Sequence, residues 1–367
     1  MSDPERSRRK REHIEAVSVL TDAAQAGFED ILLLPASASE IDVSDVSMRT
    51  TLFGRALASP VVINAMTGGT PEALAINARL AQMARRHGMA MAVGSETAAL
   101  RNPDAASSFR VVRDLYPDGC LIANVGMRAT PEEAQQAIDL IGADALQVHW
   151  NTAQELFMPE GDRSFRGLLD QLTETCARAT VPVVAKEVGQ GMLADAARRF
   201  LRCGVRGIDV GGRGGTNFIQ VEALRAHQAI DPEWERWGVS TACSLAEVLS
   251  VASPEVAIVA SGGIRTGHDV AKCLAMGATA VGVAGPLLRL AVLPDAEERL
   301  DVWATALHAT LRTLMVLVGA SDLQSLRQRP LLVVGQVREW LELRGLGRCT
   351  TQMARRDGSS GRPSFSG

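Results

Sequence analysis

Short, almost wholly apolar runs alternate with longer amphipathic segments between residues 60 and 285. Eight such runs occur: PVVINAM, MAMAVG, LIANVG, ALQVH, VPVVAKE, VRGIDVG, VAIVASG and TAVGVAG. The stretches between them, among them Glu72 to Arg86, Glu132 to Ile141 and Asp195 to Arg202, carry apolar residues at helical spacing. Eight strand–helix units in one continuous pattern predict an α/β fold, a (β/α)8 TIM barrel.

The apolar character of these runs separates the barrel from its rivals. Parallel strands that helices cover outside and side chains fill inside are apolar throughout, whereas antiparallel strands with one wet face alternate. A doubly wound sheet usually has fewer strands. Its dinucleotide-binding GxGxxG would lie in the first strand-to-helix turn, which here reads MTGGTPE.

Three regions lie outside the regular repeat. Residues 1–59 form an N-terminal extension that we expect to contribute to active-site or subunit contacts, and residues 60–349 form the barrel with its C-terminal helices. The stretch from Thr216 to Thr241 is too long for an ordinary loop and predicts a lid or insertion after strand 6. Residues 350–367 are rich in Ser, Gly and Arg and are predicted to be disordered.

Composition and charge narrow the class of protein. The formal net charge of -4 gives no reason to expect a nucleic-acid partner, although RSRRKREH near the N-terminus is locally basic. No apolar stretch approaches the roughly 18 residues of a membrane span, so no membrane partner is expected. The six cysteines show no CxxC pairing, which suits a reducing compartment. We therefore expect a cytoplasmic protein.

Glycines and polar residues follow the predicted strands, at the end where TIM barrels bind their ligands. They are Met66 to Gly69, Ser95, Asn124, His149 to Glu155, Lys186, Gly211 to Asn217, Ser261 to Arg265, and Ala284 with Gly285. The SGGIRTG and VAGP turns follow strands 7 and 8, where such barrels often bind phosphate through main-chain amides. Glycine turns also simply close tight connections. Two of them side by side favour a phosphate-bearing cofactor.

Lys186 and the N-terminal basic run each have a chemical and a structural interpretation. Lys186 would place a cation beside a ring at the barrel mouth, and the alternative is a salt bridge with Glu187. Neighbouring strand positions point to opposite faces, which disfavours that pair.

Arg9, Lys10 and His13 would clamp a diphosphate if the segment folds over a barrel mouth, whereas most such runs are solvated helix faces.

His149 and Glu155 raise the question of a metal. No HxH or HExxH spacing accompanies them, so a closed zinc site is disfavoured. Glu155 alone suits Mg²⁺, which is typically held by one or two carboxylates and the phosphates of a substrate. The structural alternative is that Glu155 caps the following loop or pairs with Arg163.

A series of ordered motifs covers nearly the whole chain. They read RRKREHIEA, INAMTGG, AVGSETAAL, ANVG, ALQVHWNTAQELFMPEGDRSFRG, VPVVAKEVGQGM, IDVGGRGGTNF, WGVSTACSLAEV and ASGGIRTGHDVAKCLAMGA. In these motifs the chain resembles the type 2 isopentenyl-diphosphate isomerases. The resemblance implies FMN- and Mg²⁺-dependent conversion of a prenyl diphosphate, isopentenyl diphosphate, into dimethylallyl diphosphate by a 1,3-proton shift, with reduced flavin as acid and base. It also implies NADPH as flavin reductant and a homo-oligomer, a tetramer or octamer.

The resemblance assigns roles to individual residues. Substrate-binding roles fall to Arg9, Lys10, His13 and Asn151, catalytic roles to Gln154, His149 and Lys186, and the metal to Glu155. Cofactor-binding roles fall to Ala65, Met66, Thr67, Ser95, Asn124, Lys186, Thr216, Gly263, Arg265, Ala284 and Gly285.

Departures from the family pattern concern the substrate. Where the family reads GSQRAAL this chain reads GSETAAL, so Thr97 replaces a basic residue and Glu96 adds a carboxylate. Losing one charge-assisted phosphate contact costs about 1.5 to 3 kcal/mol, and Arg101, one turn away, is the candidate replacement. Trp150 replaces an aliphatic residue and is expected to reshape the pocket. The alternative function is therefore an FMN-dependent enzyme derived from this family that acts on another substrate in a specialised pathway.

Two further classes receive less support. The α-hydroxy-acid oxidases need a histidine base near strand 6, where this chain reads GGRGGTNF. A barrel that binds FMN or a prenyl diphosphate without catalysis would have no need to keep one whole set of residues together, namely His149, Asn151, Gln154, Glu155 and Lys186.

Overall fold

Eight parallel strands close into a barrel in the computed structural model, which describes residues 3–20 and 24–356 except the side chains of residues 3–7, 9, 18 and 19. The strands are β1 (Val61–Ile63), β2 (Ala90–Ala92), β3 (Leu121–Gly126), β4 (Ala145–Trp150), β5 (Val183–Glu187), β6 (Gly207–Asp209), β7 (Ala257–Ser261) and β8 (Ala280–Val283). Val281 of β8 pairs with Val61 of β1 and closes the ring. The predicted TIM barrel is confirmed.

Helices cover the outside of the barrel. The outer ring consists of Pro71–His87, Ser107–Leu115, Pro131–Ile141, Leu168–Arg178, Ala194–Arg202, Thr241–Leu249, Gly267–Met276 and Ala296–Leu317. Side-chain caps begin several of them: Thr70 Oγ1 accepts from Ala73 N–H, and Thr130 and Glu133 form a capping box. The buried faces of these helices and outward-facing strand residues form the larger hydrophobic core.

A β-hairpin closes the barrel at the end opposite the predicted site. Its strands, Thr50–Leu52 and Arg55–Leu57, precede β1 in the chain. Leu52 and Leu57 are buried in a second apolar cluster with inward-facing residues of the barrel strands, among them Val62 and Val184. The interior at this end is therefore a packed core, and only the other end is available for a ligand.

The N-terminal extension crosses to both ends of the molecule. Its first helix, Asp3–Val19, packs beside Phe218–Arg225 and Gly285–Ala291 at the carboxyl ends of the strands. Its strand Ile31–Leu33 pairs antiparallel with Leu331–Val333 near the C-terminus. The extension is thus held by the barrel at one point and by the C-terminal segment at another.

Further elements lie in loops and after the barrel. The additional helices are Thr97–Arg101, Thr152–Phe157, Phe218–Arg225, Pro232–Arg236, Gly285–Ala291, Leu323–Gln328, Gly335–Leu343 and Gly347–Ala354, and the 3-10 segments are Phe28–Asp30, Val43–Asp45 and Pro103–Ala106. The two helices Phe218–Arg225 and Pro232–Arg236 form the predicted insertion after β6. Across the described ranges, no helix combines the length and apolar character needed to span a bilayer.

The C-terminal boundary differs from the prediction. Helix Gly347–Ala354 extends past residue 350, and its Met353 is only 1% exposed. The prediction of disorder from residue 350 is therefore wrong for residues 350–354, because Met353 packs into the core. The part of the predicted tail from residue 357 onward lies outside the described residues.

Candidate active site

A cavity of about 700 Å³ opens at the carboxyl ends of the barrel strands. It brings together nearly all the predicted site residues, although they come from distant parts of the chain. Those that line it are Lys10, His13, Ala65, Met66, Thr67, Ser95, Arg101, Asn124, His149, Asn151, Gln154, Glu155, Lys186, Thr216, Gly263, Ala284 and Gly285. Arg265 does not line it, and the side chain of Arg9 lies outside the described residues.

Six side chains cross the barrel interior at the base of this cavity, four of them in its lining, and we call them the polar layer. They are Asn64, Asn124, Gln147, Lys186, Asp209 and Ser261, each at most 7% exposed. Asp209 lies at their centre. Its Oδ2 accepts from Lys186 Nζ at 2.9 Å, from Asn64 Nδ2 at 2.7 Å and from Gln147 Nε2 at 3.2 Å, while its Oδ1 accepts from the Ser261 hydroxyl.

Strand alternation explains which residues enter the polar layer. Successive strand residues point to opposite faces, so Lys186 faces inward and Glu187 outward. Glu187 Oε2 instead accepts the main-chain N–H groups of residues 189, 190 and 191 at 2.6–3.1 Å. The alternative interpretation of Lys186 as a partner of Glu187 is wrong. Asp209 was not among the predicted site residues, although its inward position at the end of IDVG follows from the same alternation.

His149 is oriented by the polar layer. Its Nδ1 lies 2.7 Å from Asn124 Oδ1, and because an amide oxygen only accepts, Nδ1 carries the hydrogen. Asn124 Nδ2 in turn donates to Gln147 Oε1 at 3.1 Å. The chain of hydrogen bonds thus fixes the ring tautomer and directs Nε2 away from Asn124.

Gln154 is held by a buried carboxylate that was not predicted. Glu222 Oε1 accepts from Gln154 Nε2 at 2.8 Å and from His13 Nε2 at 2.9 Å, and Arg225 donates to the other oxygen. Burial by itself raises the pKa of Glu222, but the hydrogen bonds from His13 and Gln154 and the charge of Arg225 hold it below its ordinary value. Glu222 therefore remains ionised behind Gln154.

Glu155 presents a single carboxylate to the cavity. Asn151 Nδ2 donates to its Oε1 and the main-chain N–H of Asp162 donates to its Oε2, both at 2.9 Å. Arg163 contacts the main-chain carbonyl of Glu155 rather than its carboxylate. In the described part of the chain, no three His, Cys, Asp or Glu side chains converge as a metal site. This donor set fits a cation that takes most of its ligands from substrate phosphates and water, as Mg²⁺ does.

Lys10 reaches the cavity from the N-terminal helix of the same chain. Its Nζ donates to Gly68 O and, at 3.2 Å, to Ser95 O, and it lies 5.1 Å from the ring centroid of Phe109. Ser95 thus contacts both Lys10 and Thr97, whose hydroxyl lies 3.1 Å from Ser95 Oγ. Arg101 is exposed at the same side of the cavity, one turn beyond Thr97.

Glu96 and Trp150 were both expected to alter the pocket, but the structure places neither side chain in it. Glu96 is 0% exposed and absent from the cavity lining, because its Oε2 turns inward to accept from Asn124 N–H at 2.9 Å. Burial raises the pKa of Glu96 well above its ordinary value, so the group carries little charge toward a substrate. Trp150 points outward and packs against Phe200, with the ring centroids 4.8 Å apart and the ring planes tilted by 49°. It therefore does not shape the pocket.

The turns after β7 and β8 supply main chain to the cavity rather than side chains. Gly262 and Gly263 adopt φ of 106° and 72°, where a side chain would be strained, and a Cβ on Gly262 would meet Gly212 O at 2.0 Å. Arg265 donates to Gly263 O and to Gly214 O, each at 2.8 Å. Its guanidinium thus fixes the turn, and its contact with a cofactor stays a prediction.

Comparisons with known proteins agree with this architecture. Residues 125–333 match the model of the FMN-dependent dehydrogenase family. An isopentenyl-diphosphate delta-isomerase of Symbiobacterium thermophilum is 45% identical over 93% of this chain and 96% of its own length. One of Bacillus licheniformis is 42% identical over 93% of this chain and 97% of its own length.

Solved structures match the fold at low identity. A mandelate oxidase variant is 19% identical, with a TM-score of 0.64, over 91% of this chain and 99% of its own. A lactate oxidase described as putative, from Pediococcus acidilactici, is 16% identical, with a TM-score of 0.63, over 85% of this chain and 86% of its own. At this identity the likeness shows the fold alone. The sequence matches go further, and they show that the chain belongs to the isopentenyl-diphosphate delta-isomerase family within the FMN-dependent dehydrogenases.

Proposed function

We propose that this protein converts isopentenyl diphosphate into dimethylallyl diphosphate by a 1,3-proton shift, with bound FMN and Mg²⁺. The identity of 45% over 93% of the chain with a relative of that name supports the substrate class. The observation that carries the proposal is the arrangement of one cavity: Glu222 holds the Gln154 amide in its lining, and the buried Lys186 lines it as well.

The cavity fits FMN in size and in chemistry. Small polar groups at the ends of β1, β2 and β3 (Thr67, Ser95 and Asn124) would surround the ring, with the Lys186 ammonium beside it. Main chain at Gly263, Ala284 and Gly285 would hold the phosphate, as the turns after strands 7 and 8 do in many barrels. When bound in its reduced form, FMN supplies an electron-rich ring that exchanges a proton with an alkene carbon.

The diphosphate would lie on the side of the cavity that carries cations. Lys10 and Arg101 line the cavity together with Thr97, and Asn151 donates to the Glu155 carboxylate. Glu155 would hold Mg²⁺, which would supply positive charge to a bound diphosphate. Arg9 is the proposed second cation of the N-terminal helix.

Gln154 and His149 are the candidates for contact with the reacting carbons. Glu222 takes one Gln154 N–H, and Gln154 Oε1 accepts from Asn151 Nδ2 at 3.2 Å, so the amide has one orientation. If the proton that leaves the substrate passed to Gln154 Oε1, the positive charge on that amide would be stabilised by the ionised Glu222 carboxylate, which accepts from Gln154 Nε2. The His149 ring, fixed by Asn124, would exclude water and orient the prenyl group.

A direct assay tests the proposal. The full chain is loaded with FMN, reduced without oxygen by NADPH or dithionite, and supplied with MgCl₂ and isopentenyl diphosphate in D₂O. We expect dimethylallyl diphosphate with deuterium incorporated, and no product when Mg²⁺ or the reductant is omitted. A flavin-loaded, reduced protein that forms no product at saturating substrate contradicts the isomerase, and a protein that binds no FMN contradicts any flavin enzyme.

The replacement of a family arginine by Thr97 favours a second candidate, a flavin enzyme of this family with a different substrate. It predicts FMN binding and reduction by NADPH, with no turnover of isopentenyl diphosphate. Glu96 and Trp150 no longer support it, because neither lines the cavity. A cytoplasmic location, NADPH as reductant and a homo-oligomer of four or eight chains remain proposals alongside the isomerase.

A further inference from the structure

Asp209 occupies an unusual place for a carboxylate, at the centre of the barrel and fully buried. Four side chains from four strands donate to it: Asn64 from the end of β1, Gln147 from β4, Lys186 from β5 and Ser261 from β7. Three of these donors are neutral, and Lys186 is the only one that carries a charge. Burying a carboxylate is costly unless it is paired and hydrogen-bonded, so this set of donors compensates Asp209 as an anion.

The same geometry constrains Lys186. Its side chain is 8% exposed, its ammonium lies 2.9 Å from Asp209, and it also lines the cavity. A buried ammonium loses its proton readily when no anion faces it. Among the described groups that face Lys186, two are titratable: Asp209 and His149. His149 pairs with Lys186 in the strand register, and its ring is hydrogen-bonded to Asn124. The remaining members of the polar layer are neutral.

We propose that Asp209 is a positioning residue that keeps Lys186 protonated and directed at the cavity, and thereby sets the affinity of the site for a reduced, negatively charged flavin. This rests on the proposed function only where it concerns the flavin. Asp209 does not line the cavity and touches neither substrate nor cofactor. It acts through the ammonium, whose field favours an electron-rich ring.

The first test needs no flavin. Urea unfolding of the full chain is followed between about pH 7 and about pH 10 for the wild type, Asp209→Asn, Lys186→Met and the double variant. In Asp209→Asn the buried ammonium is left without an anion, which destabilises its charged form in the folded state, so the stability of this variant relative to the wild type should rise with pH. The rise should vanish in the double variant, which has no ammonium. An equal pH dependence in the wild type and Asp209→Asn overturns the proposal.

Ser261→Ala is the matched control, because it removes one donor to Asp209 and leaves the Lys186 pair intact. Its stability should fall without any change in pH dependence. If Asp209→Asn does not fold, recovery of folded protein in the double variant supports the pairing, because removing Lys186 then removes the unpaired charge. Failure of the double variant to recover, while Lys186→Met alone folds, contradicts it.

The second test uses bound FMN. At about pH 9 the preference of Asp209→Asn for reduced over oxidised FMN should fall about tenfold, which lowers the two-electron midpoint potential by about 30 mV. Lys186→Met should show a similar fall, and at about pH 6 Asp209→Asn should not show it. If Asp209→Asn has the wild-type midpoint potential at both pH values, the claim that Asp209 sets the affinity for reduced flavin is wrong. If the unfolding test succeeds and no variant or wild type binds FMN, the pairing stands and the proposed function fails.

Discussion

Glu222 illustrates how a residue that does not line the cavity controls one that does. Its carboxylate holds Gln154 and His13, and neither partner has a second carboxylate among the hydrogen bonds described. Glu222→Gln keeps the size of the side chain and removes its charge. We expect kcat to fall by about 100-fold, since positioned acid–base contributions are commonly of that order. Steady-state kinetics with reduced FMN and Mg²⁺ give the comparison.

The control for Glu222→Gln is Glu12→Gln. Glu12 also accepts from Arg225, at 3.0 Å, but is partly exposed and is not among the residues bonded to Gln154. It should leave kcat within about twofold, because exposed ion pairs contribute little. If both variants behaved alike, the effect would belong to Arg225 rather than to Gln154.

Arg101 provides the test of the missing family arginine. Arg101→Ala should raise KM for isopentenyl diphosphate about tenfold or more with a smaller effect on kcat, because one charge-assisted phosphate contact contributes about 1.5 to 3 kcal/mol. Adding Thr97→Arg to that variant should restore KM. Arg110→Ala, exposed on helix Ser107–Leu115 and outside the cavity lining, is the control. An unchanged KM in Arg101→Ala excludes Arg101 from the diphosphate site.

The sequence predicts some of these residues much better than others, for a physical reason. Residues at strand ends are found by the rule that TIM barrels bind ligands there, and Lys186, His149 and Gln154 all line the cavity. Glu222 lies in the helix of the insertion, where a charged residue looks like any solvated position. Replacement of an aliphatic residue by Trp150 suggested a reshaped pocket, but strand alternation turns the Trp150 side chain away from the cavity that His149 lines.

At the scale of elements, the hairpin that closes the barrel should contribute to stability and not to chemistry. Leu52 is 1% exposed and lies in the apolar cluster at the end opposite the cavity. Leu52→Ala should lower the free energy of unfolding by about 2–5 kcal/mol, through lost burial and a cavity. Urea unfolding at fixed pH measures it. Thr51→Ala, exposed on the same strand, is the control.

Two outcomes of the Leu52→Ala experiment would contradict the view that the hairpin contributes to stability and not to chemistry. A loss no larger than that of Thr51→Ala would mean that the hairpin does not complete the core. A fall in kcat of the folded variant beyond about twofold would mean that the packed end and the cavity are coupled. The scale is set by the activation free energy, in which a change of about 1.4 kcal/mol alters the rate tenfold.

The sequence predicts elements that have a local hydrophobic pattern, but it does not predict elements that form by pairing or packing with residues far away in the chain. Each barrel strand is an apolar run whose meaning is clear within a few residues. The strand Ile31–Leu33 exists only because Leu331–Val333, some three hundred residues later, pairs with it. The helix Gly347–Ala354 likewise continues past the predicted boundary because Cys349 and Met353 find buried partners. Neither feature leaves a local periodicity.

At the scale of the whole molecule, one partly buried cluster ties the start of the first barrel strand to the helix Ala296–Leu317. Ser59 Oγ, just before β1, lies 2.8 Å from His308 Nε2 on helix Ala296–Leu317. The His308 ring lies 5.7 Å from the ring of His87, which bonds Asp301 at 2.9 Å. Burial, with repulsion from His87 and Arg312, lowers the pKa of His308 from 6.5 to about 4.

This pKa gives the protein a predictable sensitivity to acid. Between about pH 6.5 and about pH 4 the unfolded chain binds a proton at His308 that the folded chain does not, so stability is lost as pH falls through this window. The loss should reach about 3 kcal/mol at its limit. Glu187 acts in the opposite direction, because burial raises its pKa to about 7 and its contribution is lost as pH rises. Only a comparison of variants separates the two.

His308→Gln makes that comparison, because glutamine can still bond Ser59 but does not titrate. Relative to the wild type, its free energy of unfolding should become less dependent on pH between about pH 7 and about pH 5, measured by urea unfolding in matched buffers. His268→Gln, exposed at the start of helix Gly267–Met276, should leave the wild-type dependence intact. If His308→Gln retained the full acid sensitivity, the cluster that joins β1 to the long helix would carry no proton-linked stability, and the loss in acid would have to arise at another group.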